Sequence, residues 1–333
     1  MAKENNKETP NIALVTGADS GLGFETAKRL AAEGFHVIMA GIRESEAQEA
    51  IKAIRNDVPA AILQFEYVDL GSMNSVNRLC DRLLAQYDNL SLLVNNAGVN
   101  DTPYRITKDG FEATFQINYL GHVLLTQRLL PLLEANGNAR IVHVTSYGHH
   151  YGSCDTQSPL WQKISPENQP ECERQYNGIK AYFNSKLAVL LFHNELARRF
   201  NYCESSVKSI AVHPGSARTQ MLKQNPWANC QHSFFQLSEQ MVGQTPAEGA
   251  RPTLHACLHS DVKNGDFYGP DGILELRGSA KLVRGSKDSE SKISGYELWN
   301  HTMNLLRIDF NLDTDYEPEY DFDAPPSCPC TLL

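Results

Sequence analysis

The stretch "NIALVTGADSGLGFETAKRLAAEG", residues 11–34, decides the fold. It begins as a short apolar run, Ile12 to Val15, that ends on Thr16 and Gly17. It continues as a helical pattern that closes on Gly34. This is the signature of a strand, a tight turn and a helix. The turn itself, "TGADSGLG" (16–23), sets Gly17, Gly21 and Gly23 where the strand passes into the helix. Glycines there let the backbone pass close to a pyrophosphate, and the N–H groups at the helix start bind its charge. The spacing is G-x-x-x-G-x-G rather than G-x-G-x-x-G, so the dinucleotide reading rests on the strand before the turn and the helix after it.

Working outward, "HVIMAG", "AILQFEYVD", "LSLLVNNAG", "ARIVHVTS", "VKSIAVHPG" and "GDFYGP" supply further strands, rich in Val and Ile and mostly apolar on both faces. Helical stretches at 45–56, 72–87, 110–135 and 178–200 separate them. Strands buried on both faces and alternating with helices predict one doubly wound, Rossmann-like α/β domain: a parallel sheet of about seven strands with helices on both faces. The domain is expected to span 10–310, between a flexible N-terminus (1–9) and an acidic tail (311–333). Two segments break the rhythm, 152–175 and 218–248. Both follow strand ends, where open parallel sheets bind ligands, and both are expected to act as substrate-side loops.

Composition narrows the function classes. Hydrophobic residues make up 41% and charged residues 21% of the 333, as in ordinary globular proteins. A net charge of −9, with no basic run interleaved with aromatics, argues against a nucleic-acid partner. "MAKENNKETP" has no apolar signal region, and the longest apolar stretch, "INYLGHVLLTQRLLPLLEA", is interrupted by Asn118, His122, Gln127, Arg128 and Pro131. Neither a signal peptide nor a transmembrane segment is therefore read. The eight cysteines are scattered, and the close pair Cys328 and Cys330 has no partner at zinc-site spacing. Reduced thiols in the cytoplasm, and no metal site, are expected.

Several strand ends carry polar residues. "NNAG" (95–98) ends the fourth strand in small residues against which a flat ring could lie, with Asn95 expected to tie adjacent strands together. Ser146 follows the fifth strand in "VTSYG", and Asn118 lies in a helix expected to flank the same sheet edge. "AYFNSK" (181–186) sets Tyr182 and Lys186 one turn apart, on one face, at the start of a helix that continues as "LAVLLF". Each residue alone has a structural explanation: a cap, a half-buried aromatic, a snorkelling base, a packing amide. Their joint placement at one edge points instead to chemistry beside a cofactor.

The ordered set "TGADSGLG", "NNAG", Asn118, Ser146, Tyr182-x-x-x-Lys186 and "HPG" (213–215) resembles the short-chain dehydrogenase/reductase family over roughly residues 10–310. "FEATFQINYLGHVLLT", "YFNSKLAVLLFHNELARR" and "AVHPGSARTQM" resemble its retinol dehydrogenase-like branch, and "FYGPDGILELRGSAKLV" its soluble bacterial relatives.

The resemblance implies an oxidoreductase that interconverts a lipophilic alcohol and its aldehyde or ketone. Tyr182 is then the acid/base, Ser146 holds the substrate oxygen, Lys186 bonds the cofactor ribose, and Asn118 positions a water leading from Lys186 to solvent. A free tyrosine titrates near pH 10, so work near neutrality means lowering that value by about three, roughly 4 kcal/mol. A lysine one turn away favours the phenolate by its charge. The dinucleotide is expected along Gly17, Asp19, Ser20, Gly21, Leu22 and Gly23, with Asp69 and Leu70 at the adenine edge and Asn96, Ala97 and Gly98 beneath the ring. Pro214, Gly215 and Thr219 are expected to flank the nicotinamide carboxamide. At the end of the second strand no acid is present and Arg43 follows Gly41 and Ile42, which favours NADP, with NAD the alternative.

Tyr147, Trp161, Trp227, Phe234, Phe235 and Met241 are candidate pocket lining. The long helices 110–135 and 178–200 are those through which such proteins associate as homodimers or homotetramers. "CTLL" at the end fits a prenylation box at Cys330, which would make the protein a peripheral membrane one, although the stretch before it is acidic rather than basic. The alternative to an enzyme is a silent dinucleotide-binding regulator, whose usual mark, loss of Ser146, Tyr182 or Lys186, is missing.

Overall fold

The structure is a computed structural model that describes residues 11–216, 244–312 and Tyr316. Thr219, Trp227, Phe234, Phe235, Met241, Cys328, Cys330 and the N-terminal segment lie outside these residues.

In chain order the first half runs β1 (Ile12–Thr16), α1 (Gly21–Ala32), β2 (His36–Gly41), α2 (Glu44–Asp57), β3 (Ile62–Tyr67), α3 (Met73–Gln86) and β4 (Leu92–Asn95). A short α4 (Ala113–Phe115) then enters a π-helical turn (Gln116–Leu120) that continues as α5 (Gly121–Asn136). The second half runs β5 (Arg140–Val144), α6 (Gln169–Gln175), α7 (Gly178–Tyr202), β6 (Lys208–Val212), α8 (Pro246–Gly249), α9 (Arg251–Leu258), β7 (Phe267–Pro270), β8 (Ala280–Leu282), α10 (Lys287–Glu290) and α11 (Lys292–Leu306). The sheet order is β3-β2-β1-β4-β5-β6-β7-β8. All neighbours are parallel except β7 and β8.

The doubly wound parallel sheet is as expected, with one strand more than predicted. Residues "AKL" of β8 are too few and too exposed to show a pattern, Leu282 being 60% exposed. Only their antiparallel pairing with Tyr268–Pro270 makes them a strand.

Alternate strand residues enter opposite layers, as the pleat requires. Leu14, Ile38, Leu93 and Ile141 pack with Leu79, Leu125 and Leu191 of α3, α5 and α7. Ala13, Val15, Met39, Val142 and Ile210 pack with Leu30, Ile54 and Ala256 of α1, α2 and α9. Because β4 pairs with β1 while β2 lies on the other side of β1, the carboxyl ends of β1 and β4 form the switch point at which ligands bind such sheets.

One expectation changes. Within the segment 152–175, Trp161 is 4% exposed, stacks on Phe115 with ring centroids 4.9 Å apart, and accepts a hydrogen bond from His301 Nε2 at its carbonyl (2.9 Å). Trp161 is therefore core, not pocket lining. Trp299 of α11 stacks on Phe192 of α7 with ring centroids 5.5 Å apart, and Tyr119 Oη of the π turn meets Thr302 Oγ1 of α11 at 2.8 Å. Beyond residue 310, Leu312 is 7% exposed and the Tyr316 ring lies 4.8 Å from the Arg199 guanidinium. Among the described residues no helix is long and apolar enough to cross a membrane.

Candidate active site

The glycine-rich turn is shaped by close backbone approach. Gly17 (φ +64°) and Gly21 (φ +56°) adopt the left-handed region, and Gly17 N–H donates to Ala40 O at 2.7 Å. A Cβ on Gly23 would stand 2.2 Å from Gly17 O and 2.6 Å from Asn96 Nδ2, so this cradle admits only glycine. Gly23→Ala is expected to lower stability by about 1–3 kcal/mol, as overpacking does. It should also abolish the rise in Tm that a nicotinamide dinucleotide gives the wild type, which thermal shift with and without dinucleotide would check.

The NNAG segment is fastened to this turn by Thr16. Its Oγ1 accepts from the N–H groups of Asn96 and Ala97, each at 2.9 Å, and Asn96 Nδ2 donates to Thr16 O at 2.8 Å. Asn96 thus ties β4 to β1. Asn95 reaches the other way, to Thr126 Oγ1 of α5 (3.0 Å) and His143 of β5 (3.4 Å), and so ties β4 to β5.

His122 completes the arrangement and was missed from the sequence. Its Nδ1 lies 3.1 Å from Asn118 O, a pure acceptor, so Nδ1 carries the proton and Nε2 accepts from Thr16 Oγ1 at 3.0 Å. Burial holds His122 neutral by lowering its pKa to about 4.

Asn118 sits in the π turn, a feature that re-aims side chains within helices. Its Oδ1 accepts from Val99 N–H (2.8 Å), and its Nδ2 donates to Val99 O and Ser185 Oγ, both at 2.9 Å. The side chain therefore anchors the loop after β4 to α7. Ser185 Oγ in turn donates to Tyr182 O at 2.7 Å, which connects Asn118 to the turn bearing Tyr182.

Asn177 caps α7 by accepting from Lys180 N–H at 2.9 Å, so Tyr182 lies in its early turns, half-buried, and Lys186 one turn deeper. Lys186 is 3% exposed, its Nζ donates to Val144 O at 3.0 Å, and it stands 5.7 Å from the centre of the Tyr182 ring. Desolvation lowers its pKa to about 8. A Cβ added to Gly98 would meet Asn118 Oδ1 at 3.1 Å and Lys186 Nζ at 3.6 Å, so the glycine keeps the lysine head within reach of whatever lies on this edge. Ser146 follows β5 and accepts from Gly148 N–H at 3.1 Å, while Thr145 Oγ1 donates to Lys186 O at 2.7 Å and fixes β5 against α7. Asn118, Ser146, Tyr182 and Lys186 are thus gathered at the carboxyl edge of β4 and β5.

At the end of β2, Arg43 folds back onto the turn: its guanidinium pairs with Asp19 and donates to Ser20 Oγ at 3.0 Å. A Cβ on Gly41 would lie 3.7 Å from Asp19 Oδ1, so the acid at the end of β2 comes from the glycine-rich turn rather than from β2. Asp69 closes its own turn, with Oδ1 accepting from Gly71 N–H at 2.8 Å. The Leu70 side chain is buried in the core, and its carbonyl packs where a Cβ on Gly121 would come within 2.6 Å.

After β6 the chain turns through Pro214 and Gly215 (φ +67°), braced by residues 275 and 276 of the segment before β8. Ser216 N–H donates to Leu276 O at 2.8 Å, His213 Nε2 meets Glu275 Oε2 at 3.0 Å, and a Cβ on Gly215 would strike Leu276 O at 2.4 Å. The His213 partner holds the Glu275 carboxyl below its usual range. Tyr147 lies beside this brace, its ring 6.1 Å from that of His213.

The profile of the short chain dehydrogenases matches residues 11–157. Human retinol dehydrogenase 13 is 37% identical over 300 residues, covering 89% of this chain and 84% of that protein. Human polyprenol dehydrogenase is 34% identical over 260 residues, covering 76% and 74%. Among solved structures, an uncharacterised protein from Mycobacterium paratuberculosis superposes with a TM-score of 0.70 at 30% identity, over 91% of this chain and 97% of that one.

Proposed function

The chain belongs to the short-chain dehydrogenase/reductase family, in its retinol dehydrogenase-like branch, and on that premise we propose that it interconverts a lipophilic alcohol and its carbonyl with Tyr182 as the acid/base. It is a short-chain alcohol dehydrogenase acting on CH–OH donors with a nicotinamide dinucleotide. The observation that carries the proposal is the buried Lys186 ammonium, one hydrogen bond from Val144 O and beside the Tyr182 ring, where its charge favours the phenolate.

When bound, the dinucleotide supplies or receives the hydride. The cradle left by Gly17, Gly23 and the NNAG segment fits its pyrophosphate and ring. Ser146 Oγ, held at the end of β5, orients the substrate oxygen, and Tyr182 Oη gives that oxygen a proton or takes one from it. Lys186 holds the positive charge next to Tyr182 and offers its ammonium to the ribose. Asn118 keeps the loop after β4 in place, and its backbone carbonyl, which lies 3.1 Å from His122 Nδ1, is the group to which a water leading from Lys186 to solvent would bond.

For the dinucleotide, NADP is favoured. Arg43 already stands at the glycine-rich turn, and its fork can accept a 2′-phosphate once Asp19 is shared or released. Arg43→Ala would leave the Asp19 carboxylate uncompensated at this edge, so it should weaken NADPH binding far more than NADH binding, measured as the two Kd values. Equal weakening would argue for NAD. The five cysteines among the described residues form no disulfide, in keeping with a cytoplasmic enzyme.

The direct test is a panel of lipophilic alcohols, aldehydes and ketones followed by nicotinamide absorbance with each dinucleotide. Turnover on any of them supports the reading, and binding of dinucleotide without turnover across the panel supports the silent regulator.

A further inference from the structure

At the far edge of the sheet from the candidate active site, α9 ends in "HACLHSD" (255–261). Its position is fixed by Arg140, the first residue of β5, whose Nη1 donates to Ala256 O at 2.9 Å. His255 and His259 are one turn apart on one face, with ring centroids 4.1 Å apart and planes 23° from parallel. The chain then folds back, so that Asp261 Oδ1 lies 3.7 Å from His255 Nε2 and 3.6 Å from His259 Nδ1.

These separations are too long for hydrogen bonds, so the three groups do not satisfy one another. They suit a shared ion: ligands about 2.0–2.2 Å from a tetrahedral centre stand about 3.4 Å apart. One ligand atom from each residue lies within 4.8 Å of the other two, so only a small closure is needed. The His255 ring is held, 4.6 Å from Tyr268, whose hydroxyl donates to Asp266 Oδ2 at 2.8 Å. The nearby cations are already engaged, Arg29 with Glu33 at 2.7 Å and Arg251 with Glu248 at 3.9 Å. Two imidazoles and one carboxylate favour a borderline ion over magnesium or calcium.

We propose that His255, His259 and Asp261 bind one divalent ion of the zinc type, which clips the end of α9 to the turn leading into β7. Solvent completes the coordination, because His259 and Asp261 are mostly exposed. The site lies at the amino ends of the strands and takes no part in hydride transfer. Its consequence is linkage: an ion that binds the folded chain stabilises it as its concentration rises.

The test uses the full chain without a histidine tag, stripped with chelator, titrated with Zn2+ by calorimetry and with Co2+ by visible absorption, alongside Tm measurements. The expected result is one saturable equivalent and a Tm that rises with Zn2+. The His255→Ala/His259→Ala double variant, matched to wild type in Tm without metal, should bind at least about tenfold more weakly, the least that even an outer partner's loss costs. Its Tm should not respond to Zn2+. Wild-type affinity in the double variant, or no saturable binding by the wild type, overturns the site. Alcohol oxidation without metal should be equal in both proteins, so failure of this proposal and failure of the dehydrogenase reading are distinguishable.

Discussion

Replacing Tyr182 with phenylalanine is expected to lower turnover by about 10²–10⁴-fold, the range that a positioned proton donor contributes, while dinucleotide binding stays near the wild-type value. The ring remains, and with it the packing of the early turns of α7. Only the hydroxyl to which the proposed mechanism assigns proton exchange is lost. Lys186 keeps its bond to Val144 O and its reach toward the ribose, since neither depends on the phenol. Single-turnover absorbance measurements with a saturating aldehyde separate the chemical step from binding. A Tyr182→Phe enzyme that turns over like the wild type would remove Tyr182 from proton transfer.

Lys186→Met is expected to end turnover and to make the protein more stable at pH 7. Burial lowers the lysine pKa from 10.5 to about 8, so below pH 8 the fold holds a charged group it disfavours, at about 3 kcal/mol. Losing the hydrogen bond to Val144 O offsets about 1 kcal/mol of the gain. The sign over pH follows from the folded pKa lying below the unfolded one. Between pH 8 and 10.5 the unfolded chain binds more protons, so wild-type stability rises with pH, and above 10.5 the penalty is gone. The advantage of the variant over the wild type should therefore shrink from pH 8 upward in urea unfolding curves. An advantage that is constant with pH would mean that Lys186 is not a buried charge. The buried ammonium is stability given up for a cation beside Tyr182.

Much of this was legible in the sequence because it rests on local rules. Gly17 and Gly21 must turn left-handed directly after a strand, and Tyr182 and Lys186 share a face because a helix turns every 3.6 residues. The strands β1, β2 and β4 to β6 announce themselves by runs buried on both faces. What escaped depends on neighbours distant in the chain. Trp161 reads as an aromatic in a polar loop until Phe115 and α11 are laid against it. Arg43 reads as a base at the end of the second strand that favours NADP, and only the fold shows that the turn at 16–23 brings Asp19 over Gly41 to pair with it.

His122 was noticed only as an interruption of an apolar run, and nothing within a few residues says that its two nitrogens join Asn118 O to Thr16 Oγ1. The brace of Gly215 by Leu276, across sixty residues, was equally invisible. "HACLHSD" shows two histidines at helical spacing, yet the return of Asp261 toward both depends on how the chain leaves α9.

By itself, the sequence determined the order of strands β1 to β6 with the helices α1, α2, α3, α5 and α7 between them, the glycine-rich turn and the Tyr–Lys pair, since these follow from periodicity and from which φ angles each residue tolerates. Tertiary structure alone decided how Lys186 is desolvated, which acid meets Arg43, what covers α5 and α7, and where Asp261 meets the two histidines. Burial and charge pairing are properties of groups brought together across the chain, and no local pattern encodes them.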